Sequence, residues 1–162
     1  MDFKNGKELL ALCEKEHLPI SAVMKKREEF LKEMTEDQVD AKMRKAICGE
    51  VLSRAIVHSM AVLELNASMG VIVAAPTAGA SGVVPGLLLA LQEVYGLTDE
   101  EMLSGLYNAG AVGYLLMRNA SVAGAEAGCQ AEVGSAAAMA ASAAVELMGG
   151  TPAQCLDAAS PA

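Results

Sequence analysis

Two short segments combine polar side chains with glycines, and each suggests a chemistry. The first is Pro76-Thr-Ala-Gly-Ala-Ser-Gly82. Gly79 and Gly82 permit backbone conformations closed to other residues, Thr77 and Ser81 add hydroxyls, and a helix N-terminus just after the loop would offer unpaired N–H groups. That combination can hold a carboxylate or a phosphate. Its spacing fits neither the P-loop nor the dinucleotide fingerprint, and Gly-rich turns also serve as plain connections, so an anion site and a structural loop both stand.

The second segment runs Asn119-Ala-Ser-Val-Ala-Gly-Ala-Glu-Ala-Gly-Cys-Gln-Ala-Glu-Val-Gly134. Cys129 follows Gly128 at an expected helix start, where the helix dipole favours thiolate. Glu126 and Glu132 oppose this by nearby negative charge, which suits a thiolate neutralised by metal better than a free nucleophile. By residue type alone, nucleophile, metal ligand and inert core cysteine remain open. The other cysteines, Cys13, Cys48 and Cys155, lie far apart with no CxxC pair, so no zinc ribbon or ferredoxin-type cluster can be assembled locally. In a reducing compartment each reads as a small buried apolar thiol.

These segments must be positioned by helices. Asn5 can cap a first helix carrying Leu9, Leu10 and Leu12 and ending near His17, with Leu18-Pro19 as its stop. Ser21 caps a second, to about Met34. Thr35 and Gln38 form a capping box, and Glu36 and Asp37 suit the positive end of the next dipole. That third helix is expected from Glu36 to about Asn66, with its C-terminal half enclosed by neighbours and His58 as a hydrogen-bonded core histidine. Val71 to Val73 reads as extended loop. Pro85 opens a helix to Tyr95, closed by Gly96. Thr98 and Glu101 box the start of another, to about Met117. A loop, Asn119 to Gly128, precedes a helix from Cys129 to Met148, and Thr151-Pro152 begins a last helix expected to have barely started at Ala162. The expectation is a single all-α domain over 1–162 with Gly-rich loops, incomplete at its C-terminus.

Charge divides the chain. Residues 1–66 hold 11 basic and 12 acidic side chains, whereas residues 67–162 hold one base, Arg118, and eight acids. Gly, Ala and Ser make 44 of those last 96 residues. The first part reads as charged outer helices and the second as a small-residue core carrying the loops. A net charge of −8 argues against nucleic acid and anionic membrane as partners. The uncharged run Leu65–Gln92 is long enough for a membrane span, but Asn66, Gly70, Pro76, Gly79, Gly82 and Pro85 interrupt it. The polar N-terminus lacks a signal core, so the expected location is cytoplasmic.

Asn66-Ala-Ser-Met-Gly70, Ala74-Ala-Pro-Thr-Ala-Gly-Ala-Ser-Gly-Val-Val-Pro-Gly86 and Gly124-Ala-Glu-Ala-Gly-Cys-Gln-Ala-Glu-Val-Gly134, in this order, resemble the alpha chain of the iron-sulfur-dependent L-serine dehydratases. The opening Phe3-Lys-Asn-Gly-Lys-Glu-Leu-Leu10 is similar to that family's start, so the likeness covers essentially the whole sequence. The resemblance implies a helical catalytic domain binding a 4Fe-4S cluster whose open iron acts as Lewis acid on the hydroxyl of L-serine, giving pyruvate and ammonia. It makes Cys129 a cluster ligand and places the Pro-Thr-Ala-Gly region in the active site. Thr77, Gly79, Ser81, Asn66 and Ser68 are then the substrate-binding candidates, with Thr77, Gly79 and Ser81 as a carboxylate cradle. The resemblance also implies a beta chain as partner and an oligomer. The family's remaining cluster cysteines lie beyond Ala162, and Cys13, Cys48 and Cys155 match none of its motifs, so residues 1–162 alone are expected to be inactive. An L-cysteine desulfidase-type lyase and a non-catalytic helical binding or assembly module are the alternatives.

Overall fold

The structure, a computed structural model, describes residues 6–18 and 44–162, with single positions 23, 26, 35, 37, 38 and 41 between them. Helix α1 spans Gly6–Glu16, with Glu8 in its first turn and Lys15 in its last, the order the helix dipole favours. The chain turns at His17, where φ is 53°, and the Leu18 N–H donates to the Cys13 carbonyl at 3.1 Å. The helix expected from Ser21 to Met34 lies outside the described residues except for Val23 and Lys26, both helical. The Thr35 capping box is formed: its N–H donates to Gln38 Oε1 at 3.0 Å, and the Gln38 N–H donates to Thr35 Oγ1 at 3.4 Å.

The expected continuous helix from Glu36 to Asn66 is broken. Residues 45–48 form a turn, the Gly49 N–H donates to the Ala46 carbonyl at 2.8 Å, and Gly49 sits at φ 76°. Glycine takes that left-handed backbone without a Cβ penalty, as at many helix ends. A new helix, α2, then runs Gly49–Ala67. Nor is its later half enclosed. Ala55 is buried, but Leu52, Ile56, Met60 and Leu63, which share one face, stay 39 to 52 % exposed.

The other face of α2 meets α3 (Val83–Tyr95), which has Pro85 in its first turn and the left-handed Gly96 as its cap. The approach is close. A Cβ on Gly86 would lie 2.9 Å from the Ala55 carbonyl oxygen and 3.1 Å from Ser59 Cβ. Ser59 Oγ donates to the Gly82 carbonyl at 2.9 Å. At the far end Arg54 pairs with Glu50 and with Glu93, at 2.9 and 3.0 Å. His58 Nε2 lies 3.1 Å from Glu93 Oε1 and its side chain is 15 % exposed, so this histidine is partnered and mostly buried, at the margin of the core.

Helix α4 (Asp99–Asn119) begins with the Thr98–Glu101 box formed in both directions. The segment 119–128, expected as loop, contains a four-residue helix, α5 (Gly124–Ala127). Helix α6 follows over Cys129–Leu147 and α7 over Pro152–Ala159. Helix α7 is therefore two turns long rather than barely started, and Thr151 and Gln154 box its start. The core joins α3, α4 and α6 through Val84, Leu88, Met102, Ala109, Val112, Ala138, Met139, Ala140 and Ala143. Small residues set the spacing: a Cβ on Gly113 of α4 would stand 3.0 Å from Met139 Sδ. Ser142 Oγ, 1 % exposed, donates to Asn108 Oδ1 at 2.6 Å, and Asn108 Nδ2 donates on to Glu146. The fold is all-α, with no strand among the described residues, and residues 71–74 are extended loop as expected. No described helix is long and apolar enough to cross a membrane.

Two outcomes follow from these contacts. Gly86→Ala is expected to cost about 1–3 kcal/mol by overpacking the α2–α3 seam, whereas Gly110→Ala, with open space at its Cβ position, should cost nothing; thermal unfolding followed by circular dichroism checks both. The Thr98 N–H, and next its hydroxyl, hold the Glu101 carboxyl below its ordinary pKa. A lowered folded-state value means stability that is present above the unfolded pKa and lost as pH falls through the folded one. The stability gap between wild type and Glu101→Gln should therefore be open at neutral pH and close in acid.

Candidate functional site

The loop after α2 is held from within. Ser68 Oγ donates back to the Leu65 carbonyl at 2.9 Å, and so does the Gly70 N–H. The extended residues 71–74 then lead into Pro76–Gly82. One carbonyl organises that stretch: Ala78 O accepts from Asn66 Nδ2 at 3.2 Å, from Ser81 Oγ at 2.7 Å and from the Ser81 N–H at 3.4 Å. Ser81 is 1 % exposed, so its hydroxyl is consumed in shaping the turn.

Thr77 behaves differently. Its hydroxyl donates across 55 residues to Glu132 Oε1 on α6. Two glycines make room for that carboxylate. A Cβ on Gly124, at the start of α5, would lie 2.8 Å from Glu132 Oε2, and one on Gly79 would overlap Glu132 Oε1. The two Gly-rich segments thus meet at one carboxylate. Glu126 is directed elsewhere, accepting from Ser121 Oγ at 2.6 Å.

Cys129 is the first residue of α6, preceded by Gly128 at φ 83° with no capping side chain. Its thiol is exposed. Glu132 lies three residues on, one turn along the same face. The remaining cysteines stand apart in character: Cys155 is buried, Cys48 is exposed in the 45–48 turn, and Cys13 is half-buried on α1, where burial pushes its thiol pKa up. Among the described residues no three of His, Cys, Asp or Glu converge as a metal site. An iron-sulfur cluster beside the two Gly-rich segments would find one exposed cysteine sulfur there, that of Cys129, and not a full set.

The five substrate candidates therefore divide into three groups. Thr77 and Gly79 meet Glu132, Asn66 and Ser81 brace Ala78, and Ser68 closes the end of α2. Glu132 was legible only as a charge near Cys129. Its spacing of three from Cys129 was the available signal that both face one way. The electrostatics are one-sided as well, since Arg118, the only base after residue 66, bonds Tyr114 Oη at 2.9 Å.

A family model described as Serine dehydratase alpha chain matches residues 7–162, and the chain belongs to that family. It is 50 % identical over 114 residues to "Probable L-serine dehydratase, alpha chain" of Bacillus subtilis, covering 70 % of this chain and 38 % of that protein. With "L-serine dehydratase, alpha chain" of Peptoniphilus asaccharolyticus it shares 48 % over 116 residues, 72 % of this chain and 40 % of the other. A "L-serine dehydratase" of Streptomyces coelicolor is 48 % identical over 103 residues, 63 % of this chain and 23 % of that protein. These matches span well under half of each relative's length. No solved structure matches.

Exposure separates the thiols experimentally. With a soluble maleimide under native conditions, Cys129 and Cys48 are expected to label rapidly and Cys155 only as fast as α7 opens; peptide mapping against time checks the order. Equal rates at Cys129 and Cys155 would contradict the placement of α6 and α7.

Proposed function

We propose that this chain is the part of an L-serine dehydratase alpha chain that carries one cluster ligand and the substrate loop, the whole enzyme converting L-serine to pyruvate and ammonia. The observation that supports this most directly is the meeting of the two family-like segments at Glu132, with the exposed Cys129 one turn away. A 4Fe-4S cluster, when bound, supplies a Lewis-acid iron that eases departure of the hydroxyl, a poor leaving group unaided.

The chain's own residues do the rest of what is proposed here. Cys129 offers an exposed sulfur at the N-terminus of α6. Asn66 and Ser81 fix the Ala78 carbonyl and so hold the loop in one shape. Thr77 is held toward α6 by Glu132. The remaining cluster ligands come from parts of the protein other than the described residues, and a beta chain is its partner. The assembled enzyme is a cytoplasmic oligomer, and residues 1–162 alone are inactive.

The test uses the complete alpha chain with its beta chain, reconstituted anaerobically with iron and sulfide. L-serine should yield equimolar pyruvate and ammonia, and Cys129→Ala should abolish both turnover and the cluster's visible absorption. Full activity in Cys129→Ala would remove the ligand assignment. Sulfide release from L-cysteine in preference to pyruvate from L-serine would favour the desulfidase-type lyase.

A further inference from the structure

The hydroxyls of Thr77 and Ser81 were expected to help cradle a carboxylate, yet each has already given its proton. The Asn66 amide and the Ser81 hydroxyl both point to Ala78 O, the Ser68 hydroxyl to Leu65 O, and the Thr77 hydroxyl to Glu132. A hydroxyl has one proton to give and two lone pairs to accept with. Thr77, having given its proton to a carboxylate, can meet a ligand only as an acceptor. Glu132, once ionised, is acceptor-only as well. Among the described residues no ion pair to Glu132 is formed, and Arg118, the sole base after residue 66, is engaged with Tyr114. A pair of acceptors carrying a net negative charge, walled by two glycines, suits a cation and repels a carboxylate.

Resting on the proposed serine chemistry, we infer that Thr77 and Glu132 form the acceptor pair for the substrate's α-ammonium group and thereby set specificity for 2-amino acids. Cys129 and Glu132 are three residues apart on α6, about 4.5 Å of axial rise. The amino and hydroxyl groups of serine sit on adjacent carbons, so a ligand with its ammonium at Glu132 can place its hydroxyl toward the Cys129 end. The substrate carboxylate is then left to backbone N–H groups or to other parts of the protein. This reverses the charge assigned to the loop from its sequence.

Two inhibitors separate ammonium recognition from general damage to the site. L-alanine has the ammonium and carboxylate but no hydroxyl, and 3-hydroxypropanoate has the hydroxyl and carboxylate but no ammonium. In the reconstituted enzyme, Glu132→Gln should raise KM for L-serine about 10- to 100-fold, the worth of a hydrogen bond to a charged group, with a smaller change in kcat. Inhibition by L-alanine should weaken by the same factor and inhibition by 3-hydroxypropanoate should stay within about threefold. Thr77→Val should show the same selective loss and Thr77→Ser should restore L-alanine binding, which keeps the test decisive if Glu132→Gln does not fold. Parallel weakening of both inhibitors would mean that Glu132 merely props the loop, and unchanged values would mean that it is idle; either overturns the inference. Calorimetric binding of the two inhibitors gives the same discrimination without turnover. A wild-type enzyme that binds L-alanine selectively but makes no pyruvate would overturn the serine reading while leaving the ammonium pair standing.

Discussion

The arrangement depends on how closely α3 can lie against α2. Gly86 presents no side chain where the Ala55 carbonyl and Ser59 come within van der Waals distance, and Gly82 leaves its carbonyl open to the Ser59 hydroxyl. Packing at this distance gains dispersion contacts along the whole seam and tolerates no extra methyl. Because α3 is fixed there, the loop entering it has a fixed end at Gly82. Its middle is tied by Asn66 and Ser81 to Ala78 O, and its outer part by Thr77 to α6. Each later contact presupposes the earlier one, so a site on a loop gains the precision of sites built on helices.

The uneven composition has a structural counterpart. The Ala-rich stretch of α6 lets that helix touch both α3 and α4, and a hydrogen-bonded chain from the buried Ser142 through Asn108 out to the exposed Glu146 fixes its register against α4. Salt bridges do little of this work. The Arg54, Glu50, Glu93 and His58 group lies at the edge of α2 and α3, partly open to solvent, where ion pairs contribute little. The sole base after residue 66, Arg118, is engaged with Tyr114 and does not pair with Glu132.

Local rules carried the sequence reading furthest. The boxes at Thr35 and Thr98, the Gly96 cap, the extended 71–74 segment and the limits of α6 all follow from interactions within four residues, and all appear in the structure. Glycine within an apolar pattern was ambiguous, because Gly49 could sit inside a helix at modest cost or end one, and it ends one. Helix α5 was missed because four residues show no periodicity. The Thr77–Glu132 bond was out of reach altogether. Partners 55 residues apart leave no local pattern, and a glutamate near a cysteine reads first as an electrostatic nuisance. Only the meeting of the two segments reveals Gly79 and Gly124 as the space that carboxylate occupies.

The apolar ridge of Leu52, Ile56, Met60 and Leu63 along α2 bears on how this chain behaves as a solute. Such a stripe, unmatched by polar groups, favours self-association through burial of apolar surface. What opposes it is the net charge of −8, a long-range repulsion that added salt screens within about 10 Å at 0.1 M. Colloidal stability in isolation is thus a balance between a short-range attraction that salt leaves intact and a repulsion that salt removes. Raising the ionic strength should shift that balance toward association.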